Sequence, residues 1–251
     1  MMRSSNPALS DKAFQDAARS VGSVDRMTLQ GTVAKSAILL TLTFGSAVAT
    51  WVLFFTAGAS AVLPIAIGAS LVGFAIAMII IWNKTWAPWA SPIYALVKGA
   101  AIGGVSASIQ VQFPEVPIVL QAAMLTFTTF AGLLVAYTSG WIKATENFKL
   151  GVVAATMGIA GLYLVTFLLG FVGVSVPFIH STGLVGIGIS LFIVVIAALN
   201  LVLDFDFIEN GVERGAPKYM EWYAAFGLLV TLIWLYFEFL RLLVKLNSRR
   251  D

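Results

Sequence analysis

Cysteine is absent from the 251 residues, and disulfides and thiolate metal sites are absent with it. Charge is also scarce. Asp, Glu, Lys and Arg make up 11% of the chain, where a soluble domain carries roughly 25%. With 59% apolar residues and a mean hydropathy of +0.94, a water-facing surface of this size cannot be covered. That excludes a soluble enzyme, a disordered chain and a nucleic-acid-binding domain. The lone histidine, His180, supplies no metal cluster. No H-E-x-x-H and no P-loop occurs, and Ser139 stands at a helix end without an evident base, so the expectation is a protein that is not an enzyme and carries no cofactor.

What fills the chain is a series of apolar runs near 20 residues, such as Ile38–Phe55 and Ile118–Tyr137. Each matches a bilayer core of about 30 Å at about 1.5 Å per residue, whereas barrel strands alternate over about 10 residues. The fold class is therefore all-α, a polytopic membrane bundle. Seven spans are expected: Thr32–Thr56, Ala61–Trp82, Pro92–Val111, Ile118–Ser139, Leu150–Val174, Leu184–Phe207 and Met220–Leu246. Proline and glycine punctuate most boundaries. Residues 1–31 form a polar, basic tail with a possible interfacial helix around Asp11–Ser20 and no signal-peptide apolar region, residues 32–246 the transmembrane domain, and residues 247–251 a short C-terminal tail.

Lysine and arginine set the expected orientation. They occupy the N-terminal segment (Arg3, Lys12, Arg19, Arg26, Lys35) and the turns after spans 2, 4 and 6 (Lys84; Lys143 and Lys149; Arg214 and Lys218). The turns after spans 1, 3 and 5 have none. The N-terminus is thus cytoplasmic in an inner membrane, and seven crossings put the C-terminus outside, where Lys245, Arg249 and Arg250 strain the rule. Small residues cluster in span 3 (Gly99, Gly103, Gly104) and span 5 (Gly151, Gly158, Gly161), which predicts close helix packing at both.

An ionisable group inside lipid costs about 2.5–3.5 kcal/mol on insertion scales and is a functional candidate by default. Asp204 and Asp206 close span 6, roughly 200° apart around a helix. They face opposite sides, and Asp204 is read as the inward one. Glu221 opens span 7 across a short turn from Asp206. Lys98 enters span 3 at a depth similar to Asp204 and could pair with it or snorkel to the surface. Near-apposed carboxylates can share a proton. Such a pair makes a pH-sensitive latch, held together when protonated and separated when ionised. Asp204, Asp206, Glu221 and Lys98 are the expected gating or ion-pathway residues, with a weak calcium site at Asp204 and Asp206. Glu238 and Arg241, three residues apart, read as a structural ion pair.

Several segments, in order, resemble the Bax inhibitor family. They are Pro92-Ile93-Tyr94-Ala95-Leu96-Val97-Lys98-Gly99 with Gly103, Gly104 and Ser106; Gln121-Ala122-Ala123 with Thr126, Phe130 and Gly132; Asp204 with Ile208; and the closing run from Ile233 to Leu243. Ser4-Ser5-Asn6-Pro7 and the run from Met220 to Gly227 resemble its bacterial YccA-like branch. The resemblance implies two three-helix halves around a central seventh helix, a pH-dependent calcium leak, and a latch between an acid in span 6 and another in span 7. Asp204 matches the first acid. The second falls at Thr231, and Lys98 stands where the family often has Glu. Two functions follow as expectations. One is a pH-sensitive cation leak, channel or carrier, of the inner membrane, with calcium as cargo. The other is a non-conducting regulator that binds a membrane protease or other membrane proteins. The partners are the lipid bilayer and cations, with no nucleic acid.

Overall fold

The computed structural model of the chain describes residues 26–171 and 183–249. His180, the interfacial helix expected around Asp11–Ser20 and most of the turn after span 5 lie outside them. Seven helices among the described residues are long and apolar enough to cross a membrane. They are α1 (Leu29–Ala57), α2 (Ala59–Trp82), α3 (Ala87–Gln112), α4 (Ile118–Thr138), α5 (Glu146–Phe171), α6 (Leu184–Glu213) and α7 (Met220–Asn247). The protein is a multi-pass α-helical membrane protein.

Capping chemistry moves several boundaries from their expected places. Helix α1 starts three residues early, because the Thr28 hydroxyl accepts the Gly31 N–H at 3.0 Å. Helix α3 starts at Ala87 rather than Pro92. Pro88 sits in the first turn, where its missing N–H costs nothing. Helix α6 runs six residues past Phe207 and stops at Gly215, which has φ +62°. There the Ala216 N–H reaches the Gly211 carbonyl at 2.9 Å and the Gly215 N–H reaches Val212 at 3.0 Å, closing the helix with a left-handed glycine.

Helices α1, α2 and α3 pack on one another, and α6 packs against both α4 and α5. Helix α7 contacts α1 and α3 on one side and α4 and α6 on the other, so it is the axis between two three-helix halves. Its buried side chains, among them Leu229, Leu235 and Leu240, point all round it. The small residues of α3 do what their type predicts. A Cβ on Gly99 would stand 2.3 Å from the Thr43 carbonyl oxygen, and one on Gly103 would stand 2.1 Å from that of Ala47. Backbone therefore meets backbone between α1 and α3. The same expectation fails for α5. Nothing lies within 4 Å of a Cβ built on Gly151, Gly158 or Gly161, because α5 packs mainly on α6 and turns its glycines away from the bundle.

Candidate ion-pathway cavity

Helices α2 and α6 are not packed on each other. The gap between them, floored by α3 and α7, is a cavity of about 760 Å³. Its titratable side chains are Asp204 from α6, Lys98 and Tyr94 from α3, and Tyr223 from α7. Asp204 faces inward as expected. Its Oδ2 is sealed from solvent and has no hydrogen-bond partner. Thr231 of α7 is the polar side chain that stands against it, and the Thr231 hydroxyl already donates to the Gly227 carbonyl at 3.3 Å. Lys98 lies at the same depth, with its stem against Gly73. No carboxylate lies within ion-pair distance of it among the described residues, so the two opposite charges share the cavity without closing on each other.

The other two acids expected on the ion pathway, Asp206 and Glu221, do not line this cavity. Asp206 points outward, as its 200° offset from Asp204 requires, and pairs with Lys149 of α5 at 2.9 Å. Lys149 also reaches Glu146 at 3.4 Å. Asp204 and Asp206 thus serve different neighbours and do not form a joint calcium site. Among the described residues, no group of three or more Asp, Glu or His side chains is placed to hold a metal ion.

Asp206 is engaged with α5, while Glu221 is engaged with α1. It is fully buried against the start of α1. It accepts the Thr28 N–H and the Thr28 hydroxyl, each at 2.9 Å, and pairs with Lys35 at 2.5 Å. Gly31 makes room for this, since a Cβ there would stand 2.1 Å from the Glu221 Oε1. A carboxylate with three charge-assisted partners is spent on holding two helices together. It clasps the start of α7 to the start of α1 and stands apart from the Asp204 cavity.

These positions meet a family match. The family model described as Bax inhibitor 1 like matches residues 6–248. The chain belongs to the Bax inhibitor family. Neither a curated protein nor a solved structure matches it. In this Bax inhibitor family protein the structure brings Thr231, the position where the resemblance implies a second acid, together with Asp204 across α6 and α7. Where Asp204 faces α7 it meets a hydroxyl, not a second carboxyl. A proton-sharing carboxylate pair cannot form there.

Glu238 and Arg241 do pair, the Arg241 Nη1 lying 3.1 Å from Glu238 Oε2. They belong to a larger polar cluster that sequence reasoning missed. Tyr163 of α5 donates to Glu238 at 2.8 Å, and the Trp234 N–H donates to it at 3.2 Å. The guanidinium lies over the Tyr163 ring, 5.0 Å from its centroid. One turn on, buried Lys245 donates to the Gly186 carbonyl at 3.0 Å and to the Ser190 hydroxyl at 2.8 Å, both on α6. The available signal was an i, i+3, i+7 row of charge on one face of an otherwise apolar helix.

Proposed function

We propose that this Bax inhibitor family protein is a pH-sensitive cation leak of the inner membrane, with calcium as the ion to test first and the single carboxyl of Asp204 as its controlling group. What supports this is the unpartnered, sealed Oδ2 of Asp204 in a cavity at the junction of both halves and the central helix. A buried polar group without a partner is expensive, and such groups persist at sites that bind or move something. The ionised carboxylate attracts a cation and the protonated one does not, so flux falls as pH drops. One titrating carboxyl gives a pH profile no steeper than a single proton allows, unlike a coupled pair. Lys98 competes with an entering divalent ion for Asp204 and holds calcium occupancy down.

The test is purified protein in vesicles loaded with a calcium-sensitive dye. Asp204→Asn removes the pH dependence of flux and lowers it at neutral pH, while Lys98→Met raises it several-fold. An unchanged pH profile in the Asp204 variant overturns the reading. One observation favours the second reading, a regulator that binds other membrane proteins. The N-terminal segment is tied to the α6–α7 turn, with the Met27 N–H on the Ala216 carbonyl at 2.7 Å and Arg26 bridged to Pro217. Deleting residues 2–24 spares that tie. Under the leak reading flux survives the deletion, and under the regulator reading partner capture is lost and no flux is seen in either form.

A further inference from the structure

A second cavity, of about 730 Å³, lies on another face of α7, walled by α1, α3 and α4. Helices α1 and α4 are not packed on each other, so the cavity opens sideways between them, past the exposed side chains of Phe44 and Phe127. Its few polar wall groups are already used. The Ser106 and Tyr236 hydroxyls bond each other at 2.7 Å. Thr43 and Thr126 donate to carbonyls of their own helices at 2.9 and 2.8 Å. The Gln110 amide donates to Phe113 and Val116, at 2.9 and 2.8 Å, across the α3–α4 turn. An occupant therefore meets only apolar contact, and a hydrated ion or polar metabolite would lose its water for nothing.

Length and charge identify the occupant. Along α4 the wall runs from Val119 to Phe127, ~12 Å at 1.5 Å per residue. With the turn at Pro114 and Pro117 included, that spans one leaflet, about half of the ~30 Å hydrocarbon core. One end lies at the surface turn and the other at mid-bilayer, against Ile233. In the surface turn at that end, next in sequence to the lining residue Pro114, stands an exposed acid, Glu115, which repels an anionic headgroup and suits an amine-bearing one.

We propose that this groove is a binding site for one acyl chain of a zwitterionic, amine-headed phospholipid, reaching past the surface helices to Tyr236 of the central helix. Ile233 lines both this groove and the Asp204 cavity, so a bound chain presses on the wall they share. The site stands whether or not the protein conducts.

The experiment uses the full chain in vesicles doped with a phosphoethanolamine lipid carrying a photoreactive diazirine on its acyl chain, with labelled positions mapped by mass spectrometry. Label is expected on the α7 stretch Leu229–Tyr236 and, as the mark of bulk lipid, on exposed Phe167 of α5. Ala123→Phe fills the groove from α4 and removes the α7 label while leaving that on Phe167, which also reports an intact fold. Ala123→Leu removes part of it. The same probe with a phosphoglycerol headgroup labels α7 several-fold less. Label confined to surface helices, α7 label unchanged in Ala123→Phe, or equal labelling by the two headgroups overturns the proposal.

Discussion

Glu221 shows what one side chain can hide from a sequence. Two residues into α7, it reads as a first-turn acid favoured by the helix dipole. Its partners, Thr28 and Lys35, are 193 and 186 residues away in the chain, and no local spacing announces them. The consequence is energetic. Glu221→Ala leaves Lys35, whose side chain is 19% exposed, facing a vacated buried site, and strands the Thr28 N–H. Removing one partner of such a pair costs about 3–5 kcal/mol when both are buried. Lys35 keeps some water, so the loss falls toward the lower end. It is read as a clear drop in melting temperature in detergent, with Glu221→Gln intermediate because it keeps the acceptor for Thr28. Asp204 was legible by contrast, because a carboxylate inside an apolar run is conspicuous without knowing its neighbours. That Thr231 faces it was not legible, because the facing of α7 against α6 depends on packing between segments distant in the chain.

At the scale of elements, helix number and nearly every helix centre could be read from apolar run length, because the bilayer fixes that length. Helix ends could not, since they depend on caps such as Thr28 and Gly215, which extend α1 and α6 beyond their apolar stretches. Nor could the facing of a helix. Spans 3 and 5 both carry clusters of small residues, yet of the two only α3 has a neighbour against its glycines. Two substitutions separate the cases. Gly103→Ala drives a methyl into the Ala47 carbonyl and pushes α1 off α3, with a cost of about 1–3 kcal/mol as for other overpacked sites. Gly158→Ala meets open space and gains helix propensity, so its stability is unchanged or raised by up to ~1 kcal/mol. Thermal unfolding of the two variants in the same detergent checks both signs.

Across the whole molecule, the basic turns converge on one end. Lys35 sits by Trp222 and Lys84 by Tyr223, with the cations 5.9 and 5.4 Å from the ring centroids, and Lys149 pairs with Asp206 near the end of α6. That end also carries Arg214 and Lys218 in the α6–α7 turn. These positive charges therefore gather at one end of the bundle, the end that the loop counts predict to be cytoplasmic. The apparent exception at the other end shrinks, because Lys245 is buried and its ammonium is bonded to α6. A charge used inside the bundle does not compete at the membrane surface. Reporter fusions test the resulting topology. A fluorescent protein that matures only in the cytoplasm is bright on the N-terminus and dark on the C-terminus, while alkaline phosphatase is active only on the C-terminus. Lys245→Met loosens α7 from α6 and lowers thermal stability, yet leaves both reporters unchanged. A bright C-terminal fusion in the unsubstituted protein would mean that one of the seven helices does not cross.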